Sequence, residues 1–454
     1  MSQSQATLPQ VTIKAVILGI ILAIVLAGAN AYLGLFAGMT VSASIPAAVI
    51  SMGVLRLFRH SNILENNIVQ TAASAGEAVA AGVIFTVPAL ILLGYWDTFD
   101  YLWVLTIAGL GGTLGVLFSV PLRRALIVEE KLSFPEGTAT AQVLKVGDSG
   151  KGLKFLGGAA LAGGLAKLCE TGLRLWGATA QGATYVGKGI AYFGSNLSPA
   201  LLGVGYIVGF NIAALVFAGG VIAWHIAIPI YSVFFMQADP QLAALAASDA
   251  SATDVAFAIW DAKIRFLGVG AMLVGGIWAL VAMRNSLKLG FASGVRGMKV
   301  KAVDTAETEK DIPMQWILFG VLLMVIPIFI AYYNISQDMT IGVSLIMTLI
   351  MVITGFLFSA VSSYMAGIVG SSNNPTSGMT IATLLFASLV LLMVMGGEST
   401  SGPAAAIMIG AVVCVAAAIG GDNLQDLKAG YLVGATPWKQ QVMLIVGVVA
   451  SAFV

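Results

Sequence analysis

The chain has 454 residues, with 22 Lys and Arg against 21 Asp and Glu, so that charged residues make up 9% where a soluble domain carries about 25%. Hydrophobic residues reach 59% and the mean hydropathy is +0.96, more apolar surface than one globular core buries in water. An ordinary cytosolic enzyme is excluded, and lipid is the expected solvent. A net charge of +1 offers no basic field for a nucleic-acid backbone. Cys169 and Cys414, far apart in apolar sequence, form neither a disulfide framework nor a thiol metal cluster.

A membrane span needs roughly 20 apolar residues to cross a hydrocarbon core of about 30 Å, and this chain supplies about thirteen such segments. In chain order they fall near 11–35, 38–58, 67–94, 101–122, 153–175, 200–219, 221–236, 263–283, 313–333, 339–362, 378–396, 402–420 and 440–454. The first follows a short polar stretch, Met1 to Gln10, with no basic n-region or cleavage site, and reads as a retained helix. Trp176 to Pro199, rich in Gly and Tyr, is expected to be a broken or interfacial helix. The fold class expected is all-α, a polytopic transmembrane bundle with broken helices.

Basic residues of short loops collect on the cytoplasmic side. Arg56 and Arg59 follow span two, Arg123, Arg124, Lys131, Lys145, Lys151 and Lys154 follow span four, and Arg284, Lys288, Arg296, Lys299, Lys301 and Lys310 follow span eight. The loops after spans three and seven carry Asp97, Asp100, Asp239, Asp249 and Asp254 without a Lys or Arg. This alternation places the N-terminus in the cytoplasm. The polar run 284–312 reads as a cytoplasmic linker between an N-terminal membrane half, 1–283, and a C-terminal half, 313–454. Two echoes suggest related halves. Tyr32-Leu33-Gly34 with Gly38-Met39-Thr40 resembles Tyr364-Met365-Ala366-Gly367 with Gly378-Met379-Thr380, and Asn66-Asn67-Ile68 resembles Asp422-Asn423-Leu424. Unequal spacing leaves the duplication open.

Ionisable groups in lipid are costly and usually face a cavity or a partner. Glu77 stands inside span three with no Lys or Arg within a helical turn. It reads as a proton-coupling carboxylate or the partner of a substrate cation, against the alternative of a neutral Glu bonded to a neighbouring helix. From Gly370 to Gly378 the chain is small, polar or helix-breaking, and such backbone survives at membrane depth only when buried in protein or lining a cavity. Ser371, Ser372, Asn373, Asn374 and Thr376 are the substrate-binding candidates there; an ordinary loop is the alternative. A second break contains Glu398, assigned with Glu77 to proton coupling, although a simple turn explains it as well. Asn66 and Asn67 before span three, and Asp422 and Asn423 after span twelve, read as cytoplasmic vestibules or helix caps that also touch substrate. Phe134-Pro135-Glu136 starts a helix, with Pro135 at its first position. Two histidines, His60 and His225, leave no zinc-protease motif, metal site or catalytic triad, and there is no Walker A pattern or cofactor motif.

Several strings together resemble the oligopeptide transporter family, most closely its prokaryotic branch, which is related to the yellow-stripe-like carriers of metal chelates. They are Asn30 to Leu35 with Gly38 to Thr40, Ser44 to Ala48, Glu65 to Glu77, Phe134 to Ala139, Asn373 to Thr380, and Asp422 to Lys428. The resemblance implies a secondary, proton-coupled carrier of peptides or peptide-like metal chelates in the cell membrane. It adds Glu136, in its Phe-Pro-Glu-Gly-Thr-Ala context, to the substrate-binding candidates. It also implies a longer chain, so that the apolar ending at Val454 is read as a C-terminal truncation. Proton, substrate and lipid are the expected partners, with a homo-oligomer possible and nucleic acid excluded. An uncoupled channel is the alternative, and an intramembrane enzyme using Glu77 and Glu398 a remoter one.

Overall fold

The computed structural model describes residues 8–38, 40–58, 61–147, 152–197, 199, 202, 206, 210–282, 307–335, 339–371, 374, 376–399 and 401–454. Most of the linker expected at 284–312, much of the expected span 200–219, and Arg59, His60, Lys151, Ser372 and Asn373 lie outside them. Helix dominates the described residues, and eight helices are long and apolar enough to cross a membrane. The chain is an all-α polytopic bundle.

Contacts divide it into two units, residues 1–153 with 276–454, and residues 154–275. This division differs from the expected halves, since the final segment returns to the first.

In the larger unit α1 (Ile13–Ala37), α2 (Ser44–Leu55), α3 (Ile63–Ile84), α4 (Pro88–Leu92), α5 (Tyr101–Arg123) and α6 (Pro135–Gly147) come first. The smaller unit takes in α7 (Gly152–Lys167), the strands β1 (Thr179–Val186) and β2 (Gly189–Asn196), and the helices α8 (Phe210–Gly220), α9 (Ile228–Phe234), α10 (Pro240–Ala247), α11 (Ala252–Ile259) and α12 (Arg265–Ala282), its boundaries falling inside α7 and α12. The larger unit then resumes with α13 (Met314–Tyr333), α14 (Ile341–Val369), α15 (Thr376–Met395), α16 (Gly402–Val433) and α17 (Pro437–Ala452).

The centre of the larger unit is α16, whose most apolar stretch is 94% buried. Its 32 residues span about 48 Å at 1.5 Å per residue. The span expected at 402–420 therefore runs on through Asp422, Asn423, Gln425, Asp426 and Lys428. All of these side chains except half-buried Asp422 are buried against the rest of the protein, so the drop in hydropathy does not end the helix.

Side-chain contacts give the directions of the helices. Thr12 Oγ1 donates to Glu65 Oε1 at 2.7 Å, and Ala23 lies against Gly76 further along, so α1 and α3 run together. Gln70 meets Asp426 while Gly82 meets Val415, so α16 runs opposite to α3. Ser119 pairs with Asn423 and Gly111 with Val412, so α5 runs with α16. One end of the unit thus gathers Gln10, Glu65, Arg123, Asp311 and Thr436; the other gathers Tyr95, Tyr101, Ile335 and Phe453.

Two long helices each give way to a turn before the next helix begins. After α1 the chain turns at Gly38 (φ 68°) and α2 begins at Ser44; after α14 it turns at Gly370 (φ 90°) and α15 begins at Thr376. Positive φ favours glycine, which has no Cβ to clash. The interruptions are alike, but the first hairpin starts from the end holding Glu65 and the second from the end holding Ile335. The segment expected as span 38–58 is accordingly a short helix of 12 residues.

In the smaller unit, Trp176 to Pro199 corrects an expectation: it contains an antiparallel hairpin, Thr179 opposite Asn196 and Val186 opposite Gly189, and no broken helix. Its Thr, Tyr, Val, Ile and Phe side chains favour a pleated surface, and Gly187 at φ 63° opens the two-residue loop. The hairpin packs through Tyr192 on Trp224 and Phe257, with ring centroids 4.4 and 5.7 Å apart.

Candidate functional site

Polar side chains converge on the second half of α16. The start of α6 is brought there by its loop, in which Phe134 N–H and Ser133 Oγ both donate to Gly367 O at 2.9 Å. Lys428 Nζ donates to Leu132 O at 2.8 Å from the other side. Pro135 opens α6 as the sequence predicts, and Gly137 packs so closely on α16 that its N–H reaches Gln425 Oε1 at 2.7 Å. Gln425 Nε2 donates to Ala366 O, also at 2.7 Å. One amide therefore joins three helices.

Around this junction lie two sets of groups. In the first, Ser371 Oγ donates to Glu136 Oε2 and is within hydrogen-bond reach of Asp422. Asn374 Nδ2 donates to Ser362 Oγ at 2.5 Å and lies against Gly421. Glu136, Ser371, Asn374, Thr376 and Asp422 are all half-buried, hence accessible. In the second, Glu77 and Asp426 are buried, 3% and 1% exposed. Glu77 Oε2 accepts the Ala43 N–H at 3.3 Å, which is the neighbouring-helix bond given above as the alternative for this residue. Asp426 Oδ1 accepts Ser44 Oγ at 2.9 Å and Gln70 Nε2 at 2.5 Å, and Ser44 and Ser74 share a hydrogen bond of 2.8 Å. Glu77, Glu136, Asp422 and Asp426 are close enough for their charges to interact.

The remaining candidates fall elsewhere. Asn423 Nδ2 donates to Ser119 Oγ at 3.2 Å, on the α5 side of α16. Asn66 accepts from Ser51 at 3.1 Å and stitches α2 to α3, while Asn67 reaches Asp426 only through Gln70. Both asparagines lie inside α3, whose cap is Asn62 in a capping box with Glu65. Glu398 is exposed and lines a cavity of about 550 Å³ with Thr340, Val343, Val394 and Ser399. Twenty residues of α16 separate its start from Asp422, about 30 Å of helix. Among the described residues, no three His, Cys, Asp or Glu side chains form a metal-binding group.

Sequence reasoning missed Asp426, Gln70 and Gln425 as site residues. The signal was present, because Asp422 and Asp426 stand four residues apart and so share a helix face. It was lost because α16 was expected to end at residue 420.

These features define a multi-pass helical membrane protein whose interrupted helices meet at a polar, carboxylate-rich centre. The chain belongs to the OPT oligopeptide transporter family, whose profile matches residues 10–454. It is 38% identical over 441 residues to a Haemophilus influenzae protein provisionally named an oligopeptide transporter, covering 93% of this chain and 68% of that protein. A Saccharomyces cerevisiae protein with the same provisional name is 28% identical over 163 residues, 32% of this chain and 22% of its own length. The family is one of transporters and not of enzymes.

Proposed function

We propose that this chain forms the translocation core of a secondary carrier that moves oligopeptides, or peptide-like metal chelates, together with protons. The observation that supports the reading best is the accessible set of Glu136, Asp422, Ser371 and Asn374 at a helix break within the membrane bundle. Acids in such a place attract a cationic group, such as the terminal amine of a peptide, and resist a second anion. Unwound backbone next to them supplies carbonyls and amides for the peptide bonds.

Protons are the coupling ion in this reading, with Glu77 buried beside the accessible acids and Glu398 giving a separate point of proton access at the opposite end. Ser372 and Asn373, outside the described residues, remain substrate candidates by their place in the sequence alone. In the larger unit the end holding Lys14, Arg56, Arg123, Lys310 and Lys439 faces the cytoplasm, because the other holds Asp97, Asp100 and Glu398 with no described Lys or Arg. The N-terminus is then cytoplasmic, in the cell membrane, and a homo-oligomer is compatible with the apolar outer helices.

Reconstitution into liposomes tests this. Uptake of tri-alanine is expected to rise several-fold under an inward-acid gradient, with a weaker response for an anionic metal chelate, and Glu77→Gln is expected to abolish the rise. Flux that ignores the gradient and the substitution would favour an uncoupled channel.

A further inference from the structure

The helix α2 begins between two carboxylates. Its N-cap residue, Ala43, has no side chain with which to cap, and the start is held from outside: Glu77 of α3 accepts the Ala43 N–H, and Asp426 of α16 accepts the Ser44 hydroxyl. Negative charge at a helix N-terminus is favourable, because its first amides are unpaired and its dipole is positive there. Asp426 is only half engaged. Oδ1 takes both donors, from Ser44 and Gln70, whereas Oδ2 has no hydrogen-bond partner among the described residues, although the side chain is 1% exposed. A buried acceptor left without a donor is destabilising, and a proton is the simplest group that pairs a lone carboxylate oxygen.

The surroundings point the same way. The charged groups near Asp426 are Asp422 on its own helix and Glu77 on α3, both of which in turn interact with Glu136 on α6. The other elements against it bring neutral groups: Ser44 on α2, Gln70 and Ser74 on α3, and Gln440 of α17, which bonds its backbone carbonyl at 3.0 Å. Lys428, on the same helix, is turned to Leu132 O.

The geometry points to Asp426 as the residue that takes up the coupling proton, and to α2 as the element that its charge holds in place. This rests on the coupled-carrier reading above. Protonation at Oδ2 converts carboxylate to carboxylic acid, removes one negative charge from the start of α2, and adds a donor beside Ser74. The Ser44 and Ser74 hydroxyls, either of which can donate, can then reverse their hydrogen bond. The short helix loses an electrostatic anchor and is freer to move; loss of the proton restores it.

The test uses the protein in liposomes with tri-alanine, comparing accumulation under an inward-acid gradient with exchange of labelled for unlabelled peptide at equal pH. Asp426→Asn keeps an oxygen for Ser44 and Gln70 but cannot be charged. It is expected to exchange peptide within about twofold of the unaltered protein while losing at least tenfold in gradient-driven accumulation. Ser44→Ala, which removes a donor to the ionised form, is expected to move half-maximal accumulation to higher pH. Accumulation by Asp426→Asn at the unaltered level would overturn the assignment and leave proton coupling itself standing. Loss of exchange together with accumulation would also overturn it, in favour of a structural role. An unaltered protein that transports without responding to the gradient would overturn both readings.

Discussion

Arg123 shows what a buried charge requires when its partner is well placed. Its side chain is 1% exposed, and it makes a fork with Asp311, Nε to Oδ1 at 2.5 Å and Nη2 to Oδ2 at 2.7 Å, while Gln441 adds a donor to Oδ1 at 2.6 Å. Removing one partner of such a pair leaves an uncompensated charge, at a cost of about 3–5 kcal/mol. Asp311→Ala is therefore expected to lower the thermal midpoint in detergent clearly, while Glu307→Ala, whose ion pair with Lys310 is exposed, changes it little. An unchanged midpoint for Asp311→Ala would show that water reaches Arg123. Asp311 was read only as the end of a polar linker; nothing in its local sequence points to Arg123, 188 positions away. Glu77 was legible for the opposite reason, since an isolated acid in an apolar run is conspicuous whatever it touches.

Among the elements, the two interrupted hairpins were half legible. Gly, Asn and Pro between residues 370 and 378 announced the break before α15, and Phe134-Pro135-Glu136 the start of α6. The turn at Gly38 falls at the expected boundary between spans 11–35 and 38–58, but the non-helical residues before Ser44 were counted in the second span, because hydropathy does not register a left-handed turn. The end of α16 was misread since polarity was taken for water. Asn423 and Gln425 are instead bonded to Ser119, Ala366 and Gly137 on other helices, and pairing over such sequence distances is invisible to periodicity. Close packing at this junction predicts a cost. A Cβ at Gly137 would collide with the backbone of Gln425, and one at Gly370 would meet Glu136 Oε1 at 2.9 Å in a conformation that L residues avoid. Gly137→Ala is expected to destabilise by about 1–3 kcal/mol, as overpacking does, and to lower uptake by displacing the start of α6. Normal uptake and stability would mean that α6 can shift from α16 at little cost.

The molecule as a whole combines a bundle centred on α16 with a separate unit, residues 154–275, whose core is built on Ile190, Ile228, Val255 and Ile259. The β-hairpin in that unit escaped sequence reading because it was sought as helix: a composition this apolar biases every segment toward a span. There Lys263 Nζ meets Asp239 at 2.9 Å. Its hydrogen bond, with those from Leu242 and Gln241 N–H, holds the Asp239 carboxyl below the ordinary range, and the same bond raises Lys263. The carboxylate's contribution is present above the unfolded value, about 3.9, and is lost as pH falls through the lower folded one. The lysine's contribution is present below about 10.4 and is lost as pH rises through its raised value. Asp239→Asn is thus expected to weaken protection of amides near Leu242 in hydrogen exchange at neutral pH, by an amount that shrinks as pH falls through the lowered folded value of the carboxyl. Equal protection at neutral pH would remove the pair from the unit's stability.

The hairpin that turns at Gly38 starts from one end of the bundle and the hairpin that turns at Gly370 from the other. A substitution at either glycine therefore strains the chain toward a different end of the bundle, and the two ends can be perturbed one at a time.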